Sequence, residues 1–253
     1  MNRLSELIGI TPPALSPARA VEVLTRGRLD LLGQLPWSSN TTLLVSARLD
    51  EQTAYAIYKP RRGERPLWDF PAGTLCQREV AAYVVSEALG WGLVPPTVLR
   101  RGPLGMGAVQ LFVDHDPQAH YLTLAAPDPS TVQRLVAFDL AINNADRKSG
   151  HVLEDPAGRL WAIDHGIAFH AEPKLRTVIW DYAGLPIERP IHTDLTGLAA
   201  CLADPGSTLT QTLGELLSPA ELRAIRRRIQ SATDAGTYPD TDPRRREIPW
   251  PPV

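Results

Sequence analysis

The chain has 253 residues, a net charge of −2 and 43% hydrophobic residues, so it can bury a full core without metal or disulfide staples. That balance excludes the global basic field of a nucleic-acid binder, and no run approaches the roughly 20 apolar residues of a membrane helix. Two cysteines, Cys76 and Cys201, are too few for a zinc framework or a disulfide scaffold; they read as buried, reduced thiols and fit a cytoplasmic setting. Residues 1–12 lack a basic segment followed by an apolar run, which argues against a signal peptide.

Ser16-Pro17 ahead of an apolar-periodic stretch predicts a helix over 17–25, stopped by Gly27. A polar loop follows at 37–40. Runs 41–49 and 53–59 are rich in β-formers and are joined by Asp50-Glu51-Gln52, which predicts a hairpin. Residues 59–73 form a loop rich in Pro, Gly and Arg. Helical periodicity then runs over 75–89 up to Gly90. A second hairpin is expected from 98–101 and 108–113 around Gly102-Pro103-Leu104-Gly105. Next come a helix over 131–143, a polar loop at 144–150 and a short hairpin from 152–154 and 159–163. From 194 onward the pattern is helical, with Ser218 and Glu221 placed as a capping box.

The 24 prolines gather in loops and near the end, where 248–253 should be extended. Trp68, Trp91, Trp161 and Trp180 read as core or interface residues, and the arginines of 223–228 as the outer face of the last helix. His165 and His170 read as structural or exposed. Sheet first and helix afterwards make an α+β chain of two lobes. The N-lobe takes 1–114, the C-lobe 115–240 and a Pro-rich tail 241–253, and a cleft between lobes is a favoured ligand site.

Chemistry concentrates in Asn144-Ala-Asp-Arg-Lys-Ser-Gly-His151, the short hairpin, and Ile163-Asp-His-Gly166. His151 stands before the first strand of the hairpin and Asp164 after the second. An antiparallel pair brings facing residues to about 4.5–5.5 Å, so both side chains can reach one cation. Asp146 lies in the loop that feeds them. Phosphoryl transfer uses this layout: one carboxylate orients the attacking hydroxyl and takes its proton, and a second holds the metal that bridges the phosphates.

Asp146-Arg147 followed by Ile163-Asp164-His165-Gly166 resembles the catalytic loop and metal motif of phosphatidylinositol 3-/4-kinase-related enzymes of the protein-kinase-like fold, with the type II phosphatidylinositol 4-kinases nearest in look. Tyr58-Lys59-Pro60, Arg78-Glu79-Val80-Ala81-Ala82, Leu93-Val94-Pro95-Pro96-Thr97 and Val109-Gln110-Leu111-Phe112-Val113 extend the resemblance upstream, in order. It implies a two-lobed kinase-like fold that uses ATP with Mg or Mn. Lys59 would contact the α/β-phosphates and Glu79 would hold it. Asp146 would be the catalytic base and Asp164 a metal ligand. The backbone of Leu111, Phe112 and Val113 would hold the adenine, and Ser38, Ser39 and Asn40 would stand in for a glycine-rich loop.

One position departs from the resemblance in a way that bears on the metal. The family carries Asn five residues after the catalytic Asp, as second metal ligand, and here that residue is His151. An imidazole suits a borderline metal such as Mn²⁺ better than Mg²⁺. Lys148 also departs, because many relatives carry His there. The implied activity is transfer of phosphate from ATP to a protein or small-molecule acceptor. No membrane segment, palmitoylation-type cysteine cluster or basic amphipathic helix supports a lipid acceptor. Two alternatives use the same residues: a nucleotide-binding pseudokinase or scaffold, which His151 favours, and a transferase of AMP. The acceptor region implied by the resemblance is 165–190, with Lys174, Arg176, Trp180 and Tyr182.

Overall fold

The computed structural model describes residues 3, 5, 6, 9, 10, 13–35, 40–242 and 247–253. The strand period of two sets the first layer. In β3 (Gln52–Pro60), Ala54, Ala56 and Tyr58 are buried while Thr53, Tyr55, Ile57 and Lys59 are half-buried on the other face. The buried row packs with β2 (Leu43–Leu49) and with Val23 and Leu24 of α1 (Pro17–Arg26). That leaves Lys59 projecting from the opposite face. Helix α1 begins as its sequence dictates, with Ser16 Oγ accepting the Arg19 N–H at 3.3 Å and proline in the first turn.

Strand β1 (Arg28–Gln34) forms where no element was expected. It is an edge strand on β2, mostly exposed, and its register shifts between Leu31 and Gly33. Asp30 there takes both Arg28 and Arg48, a charged edge of the kind that discourages further pairing. Strands β4 (Thr97–Gly102) and β5 (Gly105–Leu111) form the second hairpin. The antiparallel sheet has the order β1-β2-β3-β5-β4.

Helix α2 (Leu75–Ala88) joins the two halves. Cys76 and Val80 pack on Ala108 of the sheet, while Ala81, Ala82, Val85 and Leu89 enter the large helical core. Its first turn is capped from a distance: the Glu64 carboxylate accepts the N–H groups of Leu75 (3.1 Å) and Cys76 (2.8 Å). Arg78 is buried and donates to the Ala168 carbonyl at 2.7 Å and to Glu221 Oε1 at 2.6 Å.

The helical half holds α3 (Pro129–Ile142), the hairpin β6 (Val152–Glu154) and β7 (Leu160–Ala162), α4 (Arg189–Ala203), α5 (Thr208–Gly214) and α6 (Pro219–Ala235). Asp128 caps α3, and Asn143 ends it in the left-handed conformation. Ser218 and Glu221 form the capping box of α6. Helix α4 starts before residue 194, because Pro190 sits in its first turn, where a missing N–H costs nothing. The architecture is α+β, with the five-stranded antiparallel sheet in the first half of the chain and mainly helices with one short hairpin in the second. Among the described residues no helix is long and apolar enough to cross a membrane.

Three expectations need correction. Cys76 is buried but Cys201 is exposed. Trp68 is 94% exposed, outside any core, with Lys174 Nζ 5.2 Å from its ring centre. Arg228 is drawn inward and donates to the carbonyls of Ala141 and His170. His165 is structural, as expected: it is buried, and its Nε2 lies 2.7 Å from Arg147 Nη2. The tail folds back: Glu247 and Pro252 carbonyls accept the N–H groups of Thr177 and Ser149, each at 2.9 Å, and the Trp250 side chain stays exposed.

Gly107 of β5 lies against the backbone of Lys59, and a Cβ there would meet the Lys59 carbonyl at 2.5 Å and Pro60 Cα at 2.7 Å. Gly107→Ala is expected to lower unfolding stability by about 1–3 kcal/mol, the usual cost of forcing atoms into packed space. Gly33→Ala on the edge strand meets nothing within 4 Å and should be much milder. Urea unfolding of the two variants side by side checks this.

Candidate active site

The loop after α3 is built around one buried cation. Arg147 is fully buried and binds Asp139 of α3 in a fork, Nε to Oδ2 at 2.8 Å and Nη2 to Oδ1 at 2.9 Å. Asn144 Nδ2 adds a bond to Asp139 Oδ1 at 2.9 Å. The remaining guanidinium donors reach forward. Nη1 donates to the carbonyls of His151 (3.1 Å) and Ile163 (2.9 Å), and Nη2 to His165 Nε2 at 2.7 Å. Both open ends of the β6–β7 hairpin are thereby tied to one side chain, and the Ile163 N–H donates to the His151 carbonyl at 3.0 Å.

That frame presents Asp146, His151 and Asp164 to the cleft. Asp164 has φ +62°, a left-handed backbone that Asp tolerates better than most residues. Its Oδ1 accepts from Lys59 Nζ at 3.0 Å. Lys59 Nζ also donates to Glu79 Oε1, and Glu79 Oε2 accepts the His165 N–H at 3.0 Å. Lys59, Glu79 and Asp164 therefore form one charged cluster contributed by β3, α2 and the segment after β7. His151 Nε2 lies 3.3 Å from Asp164 Oδ2. Asp146 Oδ2 lies 3.7 Å from Lys148 Nζ.

The electrostatics follow from burial set against these neighbours. For Lys59, burial opposes the charge, but Asp164 and Glu79 outweigh it and hold the ammonium above its ordinary pKa. Asp164 is likewise opposed by burial, yet Lys59 and His151 keep it far below the carboxylate range. Burial raises Glu79. Burial, with Asp164 adding to it and Lys148 opposing, raises Asp146 to about 6. Burial lowers His151 to about 4, so the ring is neutral at pH 7.

These groups line a cavity of about 200 Å³ together with Asn40, Thr41, Thr42, Glu64, Cys76 and Lys148. Asn40, the one described residue of the expected phosphate-covering loop, lines this cavity, and its Oδ1 accepts the Arg65 N–H at 2.8 Å. Ser38 and Ser39 lie outside the described residues. Leu111, Phe112 and Val113 do not line this cavity. The Leu111 and Phe112 N–H groups are taken by the carbonyls of Pro96 and Tyr55. A larger cavity, about 740 Å³, lies between Lys174, Trp180, Arg228 and Tyr238, and it contains none of the charged cluster.

His151 fits a metal in one specific respect. Its Nδ1 lies 2.9 Å from the Asp146 carbonyl, which can only accept, so this nitrogen carries the proton. The Lys148 N–H, at 3.5 Å from Nδ1, is too long to reverse that assignment. Nε2 is then a bare lone pair facing the carboxylate oxygen of Asp164. Two acceptors held face to face accommodate a cation between them. Among the described residues no three His, Cys, Asp or Glu side chains converge on one point; His151 and Asp164 are a facing pair that could hold a cation.

Sequence patterns did not single out Asp139, Arg78 or Glu64. Asp139 carried a signal: it is the lone acid on a helical face of Leu135, Phe138 and Ile142, followed eight residues later by an arginine. Arg78 and Glu64 find partners 143 and 11–12 residues away, and nothing in the local pattern marks those partners.

No protein-family model matches the chain. It is 40% identical to protein Rv2133c of Mycobacterium tuberculosis, over 90% of this chain and 94% of that one. It is 30% identical to phosphatidylinositol 4-kinase gamma 4 of Oryza sativa subsp. japonica, a match that takes in 59% of this chain and 30% of that protein. Among solved structures, the Helicobacter pylori proinflammatory kinase CtkA gives a TM-score of 0.48 at 10% identity, over 85% of this chain and 94% of that one. The golgi casein kinase gives 0.46 at 16% identity, over 86% and 75%.

Removing the Arg147 side chain would strand a buried carboxylate. Arg147→Met is expected to cost about 3–5 kcal/mol of unfolding stability. Arg147→Met combined with Asp139→Leu should recover part of the loss, because no buried charge is left unpaired, though the Ile163 carbonyl, His165 Nε2 and Asn144 Nδ2 each lose a partner. Denaturant unfolding of the single and double variants measures the difference.

Proposed function

We propose that this chain, which belongs to the same family as the Rv2133c protein of Mycobacterium tuberculosis, is an ATP-dependent phosphotransferase that works with a divalent cation. One observation carries the reading: Lys59 is held between Glu79 and Asp164 in a cavity that Asp146 and His151 also line. A fixed ammonium of this kind neutralises the α/β-phosphates of a nucleotide. The N–H of His165 and the Lys59 ammonium divide the Glu79 carboxylate between them, so the lysine is positioned before nucleotide arrives.

A bound divalent cation would supply positive charge to offset the negative charge that develops on the phosphates. Asp164 and His151 would hold it. Asp146 accepts the proton of the acceptor hydroxyl. Burial raises its pKa to about 6, close enough to neutrality for proton transfer while leaving it ionised at pH 7. Lys148, beside Asp146, supplies positive charge where the transferred phosphoryl group and the acceptor meet. The acceptor is a protein or a small molecule, met in the cytoplasm, and its binding surface is the segment around Lys174 and Arg176. The Asn144 carbonyl accepts the Arg176 N–H and the Arg176 carbonyl accepts the Arg147 N–H, which aligns this segment with the catalytic loop.

Two variants separate binding from transfer. Asp164→Asn should abolish metal-dependent ATP binding in calorimetry. Asp146→Ala should keep that binding and lower transfer by about 10²–10⁴-fold, the range for loss of a general base. Transfer is read by incubating the protein and candidate acceptors with γ-labelled ATP and, in parallel, with α-labelled ATP. Label moving only from the α-phosphate would mean AMP transfer, and unchanged ATP binding in Asp164→Asn would remove this cavity from the proposal.

A further inference from the structure

The two cation ligands are chemically unlike, and the difference selects among metals. Asp164 Oδ1 is committed to Lys59, which leaves Oδ2 as its available oxygen. His151 presents Nε2 to that oxygen at 3.3 Å. Ligand atoms about 2.0–2.2 Å from one cation lie about 2.8–3.1 Å apart when they are adjacent in an octahedral shell and about 3.3–3.6 Å apart in a tetrahedral one. The observed 3.3 Å matches the tetrahedral spacing and exceeds the octahedral one by about 0.2 Å, so one ion can take both atoms after a shift of a few tenths of an ångström at most.

The nitrogen is also held in the form a metal requires. The Asp146 carbonyl keeps the proton on Nδ1 and orients the ring, as an outer hydrogen bond commonly does for a ligating histidine. The ring's own backbone is fixed as well, because Arg147 binds the His151 carbonyl and the His151 N–H donates to the Lys148 carbonyl at 3.1 Å. Mg²⁺ is a hard ion that prefers an all-oxygen shell and gives up water reluctantly. Imidazole nitrogen favours first-row transition metals, in the order of rising affinity from Mn²⁺ upward.

Resting on the phosphotransferase reading above, we propose that this site takes a first-row transition-metal dication, Mn²⁺ or its heavier neighbours, in preference to Mg²⁺, with His151 Nε2 as a direct ligand. The same ring links metal to base: His151 binds the cation through one nitrogen and the backbone of Asp146 through the other. Occupancy of the metal site therefore orders the loop that carries the proton acceptor.

The test uses the full chain, ADP and metal chloride salts, with no acceptor required. Calorimetric titration of protein and ADP with Mn²⁺ and with Mg²⁺ should show tighter binding of Mn²⁺ by about tenfold or more. Pulsed EPR of the Mn²⁺–ADP complex should show a nitrogen coupling that changes when the protein is labelled with ¹⁵N, which distinguishes a protein nitrogen from adenine. In His151→Asn the coupling should vanish and the Mn²⁺:Mg²⁺ ratio should fall toward one. Mn²⁺ bound with no protein-nitrogen coupling in the unmodified chain overturns the inference and leaves the phosphotransferase reading standing, and this readout does not depend on the variant folding. A ratio unchanged in a folded His151→Asn overturns it too. Absence of metal-dependent ADP binding with either ion overturns both readings.

Discussion

One guanidinium organises the site. Arg147 lies at zero exposure, and the donors of its planar head go to a carboxylate, two backbone carbonyls and an imidazole. A charge in that position is tolerable only because Asp139 pairs it and the other partners satisfy its N–H groups. The partners are not interchangeable. Asp139 belongs to α3, His151 and Ile163 are the two ends of the hairpin, and His165 follows Asp164. Lysine could neutralise Asp139 but could not hold these four directions at once. The spacing of Asp146, His151 and Asp164 is therefore a consequence of how one buried arginine must be solvated by protein.

The same logic links the lobes. Consecutive residues of α2 point to different parts of the helical half: Arg78 to Ala168 and Glu221, Glu79 to the His165 N–H. The orientation of α2 is thus set by the half that carries the 144–151 loop, while its outer residues pack on the sheet that carries Lys59. A second link closes the front of the cleft. Asp69, in the loop after β3, binds Lys174 Nζ at 2.8 Å, and its carbonyl lies 3.0 Å from His170 Nε2. Phe70 meets the His170 ring edge-on at 5.2 Å. The charged cluster itself has two carboxylates against one lysine, an excess of one negative charge.

Much of the architecture was legible before any coordinates, for a local reason. The alternation in 53–59, the capping residues Ser16 and Ser218, and the Asn at the end of α3 act over a few residues, so the chain records them directly. Strand β1 was not legible, because an exposed edge strand needs no buried face and shows no apolar alternation. The early start of α4 was hidden for a related reason, since a proline is a stop signal inside a helix and a start signal at its first turn. Trp68 and Cys201 follow no local rule: their exposure depends on which surfaces the folded chain leaves uncovered.

For the site, the sequence by itself determined the chemistry on offer. An Asp and a His lie either side of a short hairpin, a lysine ends a strand on the face opposite its buried neighbours, and a carboxylate opens a helix. Hairpin geometry alone requires the first two to meet, because antiparallel pairing is local. Only the tertiary structure decided that Lys59 stands between Glu79, 20 residues away, and Asp164, 105 residues away. It also decided which nitrogen of His151 is free, since that depends on a carbonyl whose direction no residue pattern encodes. Contacts of that separation are selected by the packing of whole elements, and packing is a property of the fold and not of any one segment.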